Sequence, residues 1–218
     1  MSKREKITRY VILLFGIFFV GFGIAFSKHS LLGISPISSV ANVLSIKFDF
    51  LTVGTWLIIW NSLLVVIEIL ILRKNFKPIQ FLQFPISLLL GVFTDLCLSV
   101  ISDIPNEAYP SKLLLVAVGI LVLSLGITLM IISNTVMNVG EEFVSVLSKL
   151  VNKPFGNVKL IFDISCVTLS IILSLAFFDF TIVGTREGTI ITACCTGFII
   201  KFFTKLLKKP FDKILKIK

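Results

Sequence analysis

The chain has 218 residues, 56% of them hydrophobic and only 15% charged, with a mean hydropathy of +1.03. That composition lies far from the range of soluble domains and excludes a water-soluble globular fold. The formal net charge of +9 does not point to nucleic acid, which needs basic residues on one folded face among base-reading groups; here they gather at the ends of apolar runs.

A bilayer-spanning helix needs roughly 20 apolar residues, and six runs approach or reach that length. In chain order they are Tyr10 to Phe26, Leu51 to Leu72, Phe81 to Ile101, Leu113 to Ser133, Val158 to Phe178 and Gly188 to Leu207. The first follows Lys3, Arg4, Lys6 and Arg9 as a signal peptide would, but Ser27-Lys28-His29 offers no small-x-small cleavage pattern, so it is expected to stay as a span. Two shorter segments, Ser35 to Phe48 and Gly140 to Val151, are too short to cross and are expected to be re-entrant or interfacial. Residues 208–218 read as a basic amphipathic tail on an anionic leaflet.

Lys and Arg collect in cytoplasmic loops. With six spans, seventeen of the 21 basic residues fall on the side of the two termini and four, Lys28, Lys47, Lys112 and Arg186, on the other. The expected topology therefore has both ends in the cytoplasm, and an odd number of spans would break this alternation.

The text repeats itself about 102 to 106 residues on. Val40-Ala41-Asn42-Val43-Leu44-Ser45 aligns with Phe143-Val144-Ser145-Val146-Leu147-Ser148, and Gly54-Thr55-Trp56 to Asn61 with Gly156-Asn157-Val158 to Asp163. Three spans per copy turn the second copy upside down, and inverted repeats place transporter sites at the bilayer midplane. The expected architecture is thus an all-α polytopic membrane protein forming a single membrane domain. Its six transmembrane helices are arranged as two inverted three-helix repeats, residues 10–101 and 113–207, each with one short helix.

The candidate site follows from the short segments and from charge inside spans, which is costly and marks function by default. Ser35 is placed as N-cap, Pro36 as the first helical residue and Ser38 near free backbone N–H groups; Glu141 and Glu142 occupy the first turn of the other short segment, where the helix dipole favours anions. If the two starts meet at the centre, they form a shared polar site. Flat surface helices with capping carboxylates are the alternative. Asp95 has no basic neighbour in its own span, and Asp163 matches Asn61 in the repeat but has Lys159 one turn away. Glu68 is close enough in sequence to Arg73 to pair with it at the border. Arg186 could grip an anion in a bidentate way. The candidate substrate-binding residues are therefore Ser35, Ser38, Asn61, Asp95, Glu141, Glu142, Asp163 and Arg186. Cys97, Cys166, Cys194 and Cys195 lie in apolar runs and read as reduced small hydrophobes. No metal site and no cofactor is expected.

Leu51-Thr52-Val53-Gly54-Thr55-Trp56, Phe81-Leu82-Gln83-Phe84-Pro85, Gly91-Val92-Phe93-Thr94-Asp95, Gly156 to Asp163 and Arg186-Glu187-Gly188-Thr189 together resemble the YczE/YyaS/YitT group of small bacterial integral membrane proteins, over nearly the whole chain. The resemblance implies a multi-pass protein of the bacterial cytoplasmic membrane and carries no substrate. The group's Pro-Gly-Glu-Gly stretch stands here as Val139-Gly140-Glu141-Glu142, without the Pro and the second Gly.

The expected function is a small-solute transporter or permease with a midplane site, taking a small polar or cationic solute because carboxylates dominate the candidates. The alternative is a non-transporting accessory or regulatory membrane protein, or a substrate-capture subunit of a larger transporter. An enzyme is not expected, since no His-Glu-x-x-His, Gly-x-Ser-x-Gly or phosphate-cradling glycine motif occurs. The partners expected are the lipid bilayer, the solute, and either further copies of the chain or a partner membrane protein; nucleic acid is not among them.

Overall fold

Within a bilayer every backbone N–H and C=O needs a partner in its own segment, so apolar runs of this length resolve as helices. A computed structural model describes residues 3–214, and these residues fold into eight α-helices. They are α1 (Lys3–His29), α2 (Pro36–Lys47), α3 (Val53–Leu72), α4 (Gln83–Ile101), α5 (Tyr109–Ser133), α6 (Val139–Leu150), α7 (Phe155–Phe177) and α8 (Glu187–Ile214). Two 3₁₀ turns, Arg73–Asn75 and Pro78–Leu82, join α3 to α4. Six of these helices (α1, α3, α4, α5, α7 and α8) are long and apolar enough to cross a membrane. At 12 residues each, α2 and α6 reach only about 18 Å, too short to span.

The elements agree with the expected runs except at the chain ends. Helix α1 begins seven residues before the apolar run, at Lys3 rather than Tyr10. The reason is local: Arg9 is only 5% exposed, bonds Glu5 at 3.1 Å and donates to the Ser133 carbonyl at 2.9 Å, so the charged turn is packed on α5. Helix α8 likewise runs on to Ile214 through Pro210. Leu207 and Phe211 pack against Ile12, Leu129 and Ile132, so the start of the expected surface tail docks on α1 and α5 instead. Residues 215–218 of that tail lie outside the described residues.

Helices α1 and α5 form the central pair. Gly16 lies against Gly126 and Gly23 against Gly119, a register that makes the two antiparallel. In lipid there is no hydrophobic drive between helices, so close backbone approach at small residues supplies the contact. Helix α4 flanks α1, where Gly21 meets Phe93 and Thr94 and the Phe18 and Phe93 rings lie 5.5 Å apart. Helix α8 flanks α5, with Cys195 and Ile199 against Val116 and Ile120. The short α2 packs on both α3 and α7, and so does α6. Helices α3 and α4 pack closely along their length; no comparable packing joins α7 to α8.

Candidate functional site

Polar side chains concentrate in three places. The first lies at the basic end of the bundle, where α3 ends, α4 begins and α6 passes. Glu68, about four-fifths of the way along α3, is fully buried at 0% exposure. Its expected partner Arg73 does not reach it: the helix ends at Leu72, Arg73 turns away with φ 47°, and its side chain is exposed. Two amides take its place. Gln80 Nε2 donates to Glu68 Oε1 at 2.7 Å, and Gln83 Nε2 donates to both carboxylate oxygens at 3.1 and 3.2 Å.

Local sequence explains how this is built. Pro78 is pre-set for the first position of a turn, and Gln80 Oε1 accepts from the Lys77 backbone N–H at 2.7 Å, closing the turn and aiming the other end of its amide at Glu68. The same Nε2 lies 3.5 Å from Glu142 Oε1 on α6. Beside this network opens a cleft of about 540 Å³, lined among others by Asn75, Gln80, Thr135, Glu142 and Lys149.

The second place is where the two short helices start. Ser35 is the N-cap of α2 and Pro36 its first residue, as expected, but Ser35 Oγ donates to Ser38 Oγ at 3.0 Å instead of capping a backbone N–H. A Cβ on Gly140 would come within 2.6 Å of Ile37, so the starts of α2 and α6 touch. Next to that contact Glu141 is 7% exposed, faces Ile127, Met130, Ile131 and Met137, and its Oε2 has no hydrogen-bond partner among the described residues.

The remaining candidates stand apart, each on its own helix. Asp95 accepts from the Gly54 N–H at 2.9 Å and from Thr52 Oγ1 at 2.5 Å, tying α4 to the start of α3. Asp163 is held by Lys159 at 2.8 and 3.0 Å, the local pair that the four-residue spacing suggests. Asn61 is buried at 4% exposure on α3; α3 and α7 make no extensive packing with each other, and no hydrogen bond joins Asn61 to Asp163 among the described residues. Arg186 lies half-exposed at the start of α8, 3.4 Å from Glu187.

A third polar set lies at the end opposite the termini and was not foreseen. Lys28 Nζ donates to Asn42 Oδ1 at 2.5 Å and to Ser45 Oγ at 3.3 Å, while Asn42 Nδ2 donates to the Gly184 carbonyl at 2.6 Å. Ser170 and Thr185 share a hydrogen bond of 2.8 Å nearby in sequence. Lys28 had been read only as a charge for topology. The signal that singles it out is its place in the last turn of α1, directly after a long apolar run and beside Asn42 and Ser45 of α2.

Six long apolar helices with buried polar clusters between them define a multi-pass integral membrane protein. The chain belongs to the family described as "Family of unknown function (DUF6198)", which it matches over residues 7–205. It is similar to the uncharacterized protein YyaS of Bacillus subtilis (strain 168), with 26% identity over 211 residues, 93% of this chain and 96% of that protein. The resemblance drawn from the sequence motifs therefore holds over nearly the full length. No solved structure matches the chain.

Proposed function

We propose that this protein is a small-solute membrane transporter built from two inverted halves, α1 to α4 and α5 to α8, with its solute site where α2 and α6 meet. The support for the inversion is positional. Helices α2 and α6 are both 12 residues long and begin 103 residues apart, at Pro36 and Val139. A two-fold exchange of α1 with α5 carries Gly16 to Gly119 and Gly23 to Gly126, and so turns the Gly16–Gly126 contact into the Gly119–Gly23 contact, which is present too. The same exchange relates α1–α4 packing to α5–α8, α2–α7 to α6–α3, and α2–α3 to α6–α7.

The observation that carries the transport reading is Glu141. A carboxylate with no partner inside a bilayer is expensive and is retained where it meets a solute, an ion or a proton. Glu141 stands in the first turn of a short helix whose start meets that of its counterpart, and short discontinuous helices at matching positions of two halves mark a transport site. Ser38 is its repeat counterpart, 103 residues earlier. Glu142, one residue on, lines the open cleft, which gives the site its access route from the basic end. With basic ends inside, that route leads to the cytoplasm of a bacterial cell. The carboxylates favour a small polar or cationic solute.

Proteoliposomes holding the purified chain alone test this by solid-supported-membrane currents on jumps of methylammonium, guanidinium, choline and glycine. The expected result is a current absent from empty liposomes and lost in Glu141→Gln. Silence with every probe, while cysteines at the exposed Asp49 and Asn152 label from opposite sides, leaves the topology standing and removes transport in favour of an accessory role.

A further inference from the structure

Among the described residues, Glu68 combines full burial with the absence of any cationic side chain bonded to it. The charged groups near enough to act on it are Glu142 and Lys149; Lys77, on the rim of the cleft, is exposed and screened by solvent. Glu142 and Lys149 offset each other, so the ionised form of Glu68 leaves the cluster one positive charge short. Amide donors orient a carboxylate but do not neutralise it, and a lone buried charge is costly.

The surroundings supply oxygen ligands. Gln83 Oε1 is fully buried and has no partner, although Nε2 of the same amide is bonded to Glu68. One helical turn along the same face of α4, Ser87 Oγ is fully buried and also without a partner. Turning the Gln83 amide about its last bond brings Oε1 to the carboxylate in place of Nε2. Two carboxylate oxygens and one carbonyl oxygen would then face the same point, with the Ser87 hydroxyl one turn along α4, a donor set that suits a hard cation.

We propose that Glu68, Gln83 and Ser87 form a binding site for a small monovalent cation, reached from the cleft past Gln80 and Glu142. A single charge completes the balance of the cluster; a divalent ion would overshoot it. This site does not depend on transport, since a cation could serve as a bound structural ion in a protein that moves nothing.

Trp60 provides the readout, because positions 60, 64 and 68 share one face of α3 and its Nε1 is buried without a partner. In purified Trp56→Phe protein, Trp60 emission is titrated with sodium, potassium and ammonium chloride against N-methylglucamine chloride at constant ionic strength. The expected result is a saturable change with at least one of these ions. Its midpoint rises by about 10–100-fold in Glu68→Gln and in Ser87→Ala, and is unmoved in Glu107→Gln, an exposed loop residue. Ser87→Ala carries the test if Glu68→Gln does not fold. No saturable response to any of the three ions overturns the site, as does a Ser87→Ala titration that superimposes on that of the parent.

Discussion

The pairs α3–α4 and α7–α8, which the proposed inverted repeat makes counterparts, are held very differently. A Cβ on Gly54 would overlap the Gly91 carbonyl and the Asp95 carboxylate, and one on Gly91 would overlap the Gly54 carbonyl. At the matching Gly156 and Gly197, nothing lies within 4 Å. The glycines are kept but the contact is not made. The α3–α4 pair is also tied at both ends, by Asp95 to the start of α3 and by Gln83 to Glu68. Four residues after Gly197, as Asp95 stands four after Gly91, comes Lys201, an exposed cation, which a positive helix start would repel rather than hold. One pair is latched, and its counterpart has the surface for closing without the latch. The cleft and Gly156 lie at the same, basic end.

The largest expected effect separates the two pairs directly. Gly54→Leu forces backbone apart in a filled contact and should cost about 1–3 kcal/mol or more, whereas Gly156→Leu should stay within about 0.5 kcal/mol of the parent, both read by reversible unfolding in bicelles. Equal losses would break the comparison. Next in size, Gln83→Leu removes one tie and strands Glu68, at a cost of about 1–3 kcal/mol; the double variant with Glu68→Leu should recover most of it. The smallest is Asp95→Asn, which keeps the shape but removes the charge at the start of α3. It should cost about 0.3–1 kcal/mol and lose that effect in high salt, while an unchanged melt would leave Asp95 as a spacer.

These differences mark what the amino-acid pattern could and could not disclose. Length and hydropathy place the six long helices and the two short ones, because a bilayer admits few other solutions for such runs. Ser35 at the N-cap position and the Lys159–Asp163 pair are legible because both are set within one segment, although the Ser35 hydroxyl bonds Ser38 rather than the backbone. Glu68 was read against Arg73, its neighbour in sequence, whereas its partners come from a 3₁₀ turn that folds back after the helix has ended; such a turn leaves no periodic signal. The packed ends of α1 and α8 were missed because their charges look solvent-bound until Arg9 meets the carbonyl of Ser133. The unequal state of the two glycine pairs is not signalled by the glycines themselves, which both pairs carry; only the exchange of Asp95 for Lys201 hints at it.

The central proposal is that the halves are inverted copies and that their flanking pairs, α3–α4 and α7–α8, close in alternation. Spin labels at the exposed Phe50 and Val100 report on α3–α4, and labels at Phe155 and Leu206 on α7–α8. Double electron–electron resonance in nanodiscs, with and without Gly54→Leu, measures both distances. The account predicts that widening the 50–100 distance shortens the 155–206 distance as α7 closes on α8. A 155–206 distance that stays put while the 50–100 distance widens would contradict it.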